Sequence, residues 1–396
     1  MAVLSDAQRE AGWTIAKLGE AVDKIIDHRG RTPKKMGGDW STSGHRVISA
    51  LNIKKGVIDQ NYHHMIDDRM YEQWMPVKFS VGDVIVTSEA PMGEIARVRN
   101  AEEATWAAGQ RIFVLKPKKN LVHSRYMYYA FLSSKVQAGL HSRSSGTTVV
   151  GIKQKELKEV EIPLPPLEEQ ERIAGILGSL DDKIEANTRL IQTLLDTADS
   201  VFQKFYSECE LSESTYASLD VYGGGTPSTK NESYWGGDIH WLTPTDVTSL
   251  GSPILFDTAR KLTEDGLNAC SSKLHPAGSI MMTSRATIGA FAINQYPAAT
   301  NQGFIVAVPQ REEERWWIYH HMKKDVPEMI NAANGTTFLE ISRRTFKGLP
   351  YGSLSDENLD RFHAVINPLY ELIKSSEQEN LQLAATRDAL IKRLIG

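Results

Sequence analysis

Few residues in this chain stand at spacings that support catalysis. Gly223-Gly224-Gly225-Thr226-Pro227-Ser228-Thr229-Lys230 has the composition of a phosphate loop. It lacks the Gly-x-x-x-x-Gly-Lys-Ser/Thr spacing that aims backbone N–H groups and a lysine at phosphates, so it reads as a glycine-rich turn. Leu164-Pro165-Pro166-Leu167 lacks the polar first residue and the aromatic of the Asn/Asp-Pro-Pro-aromatic motif that holds a flipped base, and reads as the lead-in to a helix. His63-His64 and His320-His321 are adjacent pairs whose side chains diverge in a helix or a strand. Neither makes a shared metal face, and both pairs are expected at the surface. Cys209 and Cys270 form no Cys-x-x-Cys pair, which argues against a zinc module or a disulfide framework and fits a reducing compartment. No Ser/His/Asp or Cys/His signature is recognisable. The chain is expected to carry no catalytic residue and to hold no metal.

What the sequence supplies instead is cations beside hydroxyls and amides in polar loops. In the first half these are Arg31, Thr32, Lys34 and Lys35, then Asn52, Lys54 and Lys55, then Arg143, Thr147, Thr148, Lys153 and Lys155. The second half has Thr226, Ser228, Thr229 and Lys230, then Thr245, Arg285, Asn301 and Gln302, then Thr336, Thr337, Arg343 and Arg344. Lys and Arg supply affinity for phosphate, Ser and Thr position the backbone, and Asn, Gln or Arg read base edges, so the set suits double-stranded DNA. For any single residue the plain alternative is a solvated loop. A net charge of −4 runs against a nucleic-acid partner, but the acids crowd onto the helices and the basic clusters lie elsewhere.

Two long helices have to hold these loops. Residues 162–206 open with a proline-rich lead-in, and Glu168, Glu169 and Glu171 set negative charge at the positive end of a helix dipole. Ile173, Leu177, Leu180, Ile184, Ile191, Leu194, Ala198, Val201 and Phe205 follow at alternating steps of four and three, skipping only Asn187. That is the seam of a coiled coil. About 40 helical residues make a rod of roughly 60 Å.

After residue 208 the first half is repeated in order. Gly225-Thr226-Pro227 answers Gly30-Arg31-Thr32-Pro33, and Leu242 to Val247 answers Ile48 to Ile53. Gly278 to Ala286 answers Gly82 to Ala90, with Gly289 answering Gly93, and Asn301-Gln302-Gly303-Phe304 answers the strand at Gln110. Gly335-Thr336-Thr337 lies 189 residues after Gly146-Thr147-Thr148, and the same offset carries through a second seam of Phe362, Ile366, Leu369, Ile373, Leu383, Leu390 and Leu394. Ser376, Asn380 and Arg387 fall at polar seam positions, and Pro368 either begins the regular helix or kinks it. The expected fold is α+β: two homologous mixed α/β domains separated by two long helices in an antiparallel coiled coil, an internal repeat with pseudo-twofold symmetry. The boundaries are domain 1–160, helix 161–208, domain 209–353 and helix 354–396. Antiparallel packing would set Lys392 and Arg393 near Glu168, Glu169 and Glu171, and Lys204 near Glu357 and Asp360. With 396 residues, 41% of them hydrophobic, the chain is long enough for such domains, and no apolar run reaches bilayer length, so a soluble cytoplasmic protein without a membrane partner is expected.

Pro163-Leu164-Pro165-Pro166-Leu167-Glu168-Glu169-Gln170-Glu171-Arg172-Ile173, continuing Leu180-Asp181-Asp182-Lys183-Ile184, between two such domains, resembles the specificity subunit of type I restriction-modification systems. The resemblance covers essentially the whole chain, although the second lead-in, Leu349-Pro350-Tyr351-Gly352-Ser353-Leu354, lacks the double proline. It implies a bacterial or archaeal, non-catalytic subunit with two target recognition domains, each reading one half of a bipartite site in double-stranded DNA. It also implies two modification (methyltransferase) subunits that bring S-adenosylmethionine, and restriction subunits, ATP-dependent translocase/nucleases, that use ATP and Mg. The acids Asp181, Asp182 and Glu185 mark the helix face where the modification subunits would dock. Two other classes stay open on the residues alone: an adhesion or structural protein with duplicated β-rich heads on a coiled-coil stalk, and a self-sufficient methyltransferase or nuclease.

Overall fold

The computed structural model describes residues 4–54, 56–59, 64–146, 149–334 and 339–396. Its two compact units do not follow the four chain segments. One comprises residues 1–183 with 382–396 and the other residues 184–381, so each takes its own head and part of both long helices.

In the first unit the head is built from β1 (Thr14–Lys17), β2 (Val22–Asp27), β3 (His45–Ile48), β4 (His64–Ile66), β5 (Val84–Thr87), β6 (Ile95–Arg97), β7 (Ala107–Ala108) and β8 (Ile112–Pro117). These are followed by α1 (Ser124–Leu132), α2 (Ser134–Ser142), α3 (Gln154–Lys158) and β9 (Glu161–Leu164). The antiparallel main sheet has the order β2-β8-β5-β6, a second sheet runs β4-β3-β7, and β1 pairs with β9. All four residues of β5 are buried, as a strand covered on both faces requires. Strand β8 runs through Lys116 to Pro117. The proline-rich lead-in is itself a strand, with Ile15 opposite Pro163. Helix α4 (Leu167–Glu208) follows without a break into the second unit.

The second unit repeats this topology. Its strands are β10 (Ser212–Thr215), β11 (Asp220–Gly223), β12 (Trp235–Leu242), β13 (Ile254–Leu255), β14 (Arg260–Leu262), β15 (Ile280–Thr283), β16 (Phe291–Asn294), β17 (Ala298–Thr300) and β18 (Phe304–Val308). Then come α5 (Glu314–Lys324), α6 (Val326–Asn331), α7 (Arg343–Lys347), β19 (Pro350–Ser353) and α8 (Asp356–Leu394). The orders are β11-β18-β15-β16-β13, β14-β12-β17 and β10-β19. The registers agree as well: Ile112 faces Thr87 in the first unit and Phe304 faces Thr283 in the second. In both units the small sheet contains one parallel pair, β3 with β7 and β12 with β17. The missing double proline does not disturb α8, because β19 pairs with β10 as β9 pairs with β1. Pro368 does not begin that helix; it lies inside it, twelve residues past Asp356.

The long helices are antiparallel. In the first unit Ile173, Ala174 and Leu177, near the start of α4, share a core with Ile391 and Ile395, at the end of α8. In the second unit Ile191, Ala198 and Phe202 share a core with Phe362, Ile366, Tyr370 and Ile373. The stripe drifts from the heptad seam: Val201, Leu369, Leu390 and Leu394 are half-buried, whereas Phe202, Tyr370, Ile391 and Ile395 are buried. Ile173 to Phe202 and Phe362 to Ile391 are each eight turns of 3.6 residues, where a strict 3.5 repeat would have reached Val201 and Leu390. Leu180, Ile184, Leu194, Phe205 and Leu383 are half-buried flanks.

Polar residues complete the seam where the sequence reading left a gap. Asn187 is buried, and its Nδ2 donates to Asn380 Oδ1 at 3.0 Å and to Glu379 Oε2 at 2.7 Å. Arg387 donates to Asp181 Oδ1 at 2.9 Å, and Tyr129 of α1 donates to Asp181 Oδ2 at 2.6 Å. Burial pushes the Tyr129 phenol well above its ordinary range, so it remains a donor. These contacts replace the expected flanking pairs: Glu169 binds Arg172 of its own helix at 2.6 Å, and among the described residues Lys392, Arg393 and Lys204 enter no ion pair.

The three acids of the expected docking face each have a partner within the chain. Asp181 is taken by Tyr129 and Arg387, Asp182 by Arg125 of α1, and Glu185 by Arg189 at 3.1 Å. A Cβ at Gly178 would stand 2.6 Å from the Arg125 guanidinium, so a larger residue there would push that side chain aside. The second unit clamps its helices in the same place with different chemistry. His320 of α5 meets Asp199 of α4 at 3.1 Å and Tyr370 of α8 at 2.8 Å, while His321 accepts from the Gly352 N–H at 3.1 Å. Both histidines are buried, not exposed as their adjacency suggested, because they pack between helices and β19. His63 lies outside the described residues.

Candidate nucleic-acid interface

In each unit one strand end gathers the polar loops. After β5, the Thr87 hydroxyl donates to Pro91 O at 2.6 Å and accepts from the Glu94 N–H at 2.9 Å. After β15, the Thr283 hydroxyl accepts from the Ala290 N–H at 3.0 Å. Both turns contain an alanine with positive φ, +50° at Ala90 and +60° at Ala286. For a residue with a Cβ this costs on the order of 1 kcal/mol, and the same conformation is kept twice. Ser88 N donates to Arg111 O at 2.8 Å and its carbonyl accepts from Ile152 N at 2.9 Å; Ser284 makes the same bonds to Gly303 and Ile341 at 2.8 and 3.1 Å. The loops holding Thr147–Thr148 and Thr336–Thr337 are closed by matching bridges, Ser145 to Gly151 and Asn334 to Glu340. Those four threonines, and Lys55, lie outside the described residues.

Two further loops join each site. Ser49 N donates to Asn52 Oδ1 at 2.9 Å, and Thr243 N donates to Asp246 Oδ2 at 2.8 Å, the same cap on the same turn. Gln110 Nε2 donates to Arg31 O at 3.2 Å, and Thr226 donates to Gln302 Oε1, so one glutamine in each unit ties the central strand to the loop after the first edge strand. Burial, and then the Arg31 cation, lower the pKa of His28, whose neutral ring lies 3.3 Å from Ala108 O.

The candidate residues stand in different surroundings. Arg31 lines the first cleft with Ser49, Asn52 and Gln110, its guanidinium donating to Trp74 O at 3.2 Å. Gln302 and Arg343 line the second with Gly224 and Ser284. Thr226 and Thr245 sit exposed on the loop and turn beside it. Lys34, Lys153, Lys155, Lys230 and Arg344 are exposed and, among the described residues, enter no ion pair. Thr32 and Ser228 use backbone or hydroxyl groups within their own loops, and Thr229 is exposed.

The remaining candidates have partners within the chain. Asn52 is buried, serving the Ser49 cap and donating to Asp59 O at 3.0 Å, so it does not reach out as a base reader. Asn301 Oδ1 accepts from Gly303 N at 2.8 Å. Lys54 pairs with Asp59 at 3.1 Å, Arg143 with Glu156 at 3.9 Å, and Arg285 with Glu340 at 2.6 Å; the Lys35 ammonium returns to Gly30 O at 2.9 Å. Sequence reasoning missed Gln110, Arg111, Trp40 and Leu51 at the first cleft and Ser271 at the second. Gln110 was within reach, since it answers Gln302 in the repeat.

The family described as type I restriction modification DNA specificity domain matches residues 10–196 and 219–377. The chain belongs to that family. Its two matched segments each contain one of the clefts just described. A type I restriction enzyme MjaIX specificity subunit from Methanocaldococcus jannaschii is 35% identical over 163 residues, 41% of this chain and 38% of that relative, so this match spans well under half of its length. The HindI specificity subunit of Haemophilus influenzae is 22% identical over 374 residues, covering 74% of this chain and 81% of the relative. The crystal structure of the type I restriction-modification S subunit from M. genitalium aligns over 97% of this chain and 96% of its own, with a TM-score of 0.57 at 16% identity, a likeness of fold. Among the described residues, no helix of this specificity-family chain is long and apolar enough to cross a membrane.

Proposed function

We propose that the chain reads a bipartite site in double-stranded DNA, one half-site per unit, and presents it to catalytic partners. The observation that carries this is the repeated cleft: the same strand end, positive-φ alanine, capped turn and glutamine recur in both units, each beside exposed cations. A motif kept twice in one chain fits two related ligands, and two halves of one DNA site are such a pair. Arg and Lys supply affinity to phosphate, while base edges supply the choice of sequence. The long helices hold the half-sites at a set separation. Two modification subunits dock on the chain and bring S-adenosylmethionine for adenine methylation, and restriction subunits bring ATP and Mg; this chain binds none of these cofactors and performs no chemistry itself.

The test uses the chain assembled with modification subunits and duplex DNA at several salt concentrations. Arg343→Ala with Arg344→Ala should weaken binding and reduce the slope of log affinity against log salt by about one to two. An unchanged slope would return both arginines to a solvated loop, and no duplex binding by the assembly would defeat the proposal.

A further inference from the structure

We infer that Arg260, stacked on Trp235, binds one backbone phosphate of the DNA beside the second cleft, at the place where the first unit presents His64 on Trp40. This rests on the DNA-reading function proposed above and adds a contact beyond the residues that line the second cleft. In both units the chain ahead of the small sheet's central strand folds back onto the outer strand. Ser41 and Arg46 both face Met65 of β4, and Trp235 and Ile239 both face Leu262 of β14. Val47 faces His64, and Trp241 faces Arg260. Since Leu242 answers Ile48 in the repeat, Arg260 answers His64. Each of the two meets a tryptophan of the folded-back segment: His64 stacks on Trp40 with ring centroids 4.3 Å apart, and the Arg260 guanidinium carbon stands 3.4 Å from the centre of Trp235. The place is kept while the residue on it changes.

At 3.4 Å the guanidinium has to lie parallel to the indole, since a tilted one would drive a nitrogen into the ring. Trp241 meets Trp235 edge-on at 4.9 Å and stands 5.6 Å from the same cation. Both indoles are tied to the loop after β11: Trp235 Nε1 donates to Ser228 O at 3.3 Å, and Trp241 Nε1 to Gly225 O at 3.1 Å. That loop carries the exposed Thr229 and Lys230 and leads back to Gly224 in the cleft. Asp257, the acid nearest in sequence to Arg260, is occupied by His240 and Lys261, each at 3.2 Å. Arg260 itself is exposed and, among the described residues, enters no ion pair. A guanidinium whose plane is fixed by stacking keeps its in-plane N–H donors for an outside acceptor, and phosphate oxygens can take two of them at once. Stacking has also removed side-chain freedom that binding would otherwise cost. With Lys230 on the adjoining loop, the cations here flank the cleft and suit the backbone beside the bases that the cleft would read.

The experiment measures binding of the full chain, assembled with its modification subunits, to the mapped target duplex over a range of salt. Arg260→Ala should lower affinity about tenfold and reduce the slope of log affinity against log salt by about one, on the target and on unrelated duplex alike. Arg260→Lys, which keeps the charge and loses the flat stack, should keep the slope and recover part of the affinity. Neutral methylphosphonate placed at one phosphate at a time should weaken binding by the parent at one position beside the second half-site, and Arg260→Ala should abolish that effect. An unchanged slope in Arg260→Ala overturns the inference and leaves the stack a prop for the small sheet. A loss confined to the target sequence overturns it in favour of a base edge, and a methylphosphonate map identical in parent and Arg260→Ala overturns it as well. These three leave the DNA-reading function standing; absence of duplex binding by the parent assembly overturns both.

Discussion

Four residues inserted into each long helix, after Glu185 in α4 and after Leu383 in α8, should move the preferred gap between half-sites by one to two base pairs. Four residues add about 6 Å of helix and slightly more than one turn, so the inserted block returns to nearly the same face. Base pairs rise by about 3.4 Å. The positions matter, because they leave Asp181 with Arg387 in one unit and Asn187 with Asn380 in the other. Each head therefore keeps its own clamp, and only the helix between the clamps lengthens. Footprinting or binding selection on a library of gap lengths reads the result. An unchanged gap would mean that the helices do not set the spacing.

The second large effect concerns stability. Asp181→Ala removes the acceptor of Tyr129 and one partner of Arg387, both largely buried, and should destabilise the first unit by about 2 kcal/mol. The cost stays below that of a fully stranded charge because Asp388 still accepts from Arg387 at 2.8 Å. Replacing the whole cluster, Asp181→Leu with Arg387→Met and Tyr129→Phe, should cost less than Asp181→Ala alone, since no buried polar group is then left without a partner. Denaturant unfolding followed by probes in the first unit would show this. Equal or larger loss in the triple variant would mean that the ion pair itself, not the stranding of its partners, carries the stability.

The duplication was legible because it is written in residues with few physical alternatives. Gly82 and Gly278 have φ of +96° and +83°, and Gly93 and Gly289 of +88° and +89°, conformations that keep glycine in place while the strands between them change. The long helices were legible from hydrophobic spacing, and their antiparallel pairing from the duplication, not from the charges expected to flank the seam. The final register was not, because a heptad reading cannot register the 3.6-residue drift that brings Phe202 and Ile391 inward. Buried polar residues were the main failure. Asn187 and His320 look like surface residues in a string of letters, and only partners far along the chain, Asn380 and Asp199, make their burial tolerable; the half-buried Asp181 depends likewise on Arg387, and buried Asn52 on Asp59 seven residues on. The cationic loops were found, but Lys35, Lys54, Arg143 and Arg285 have partners within their own unit, which composition does not reveal.

Mapping methylated adenines in cells that carry this chain with its modification subunits tests two-headed reading most directly. The expected result is one motif of two short specified blocks separated by a fixed unspecified gap, with exchange of residues 13–160 for another such domain changing one block alone. A single continuous motif, or an exchange that alters both blocks, would contradict it.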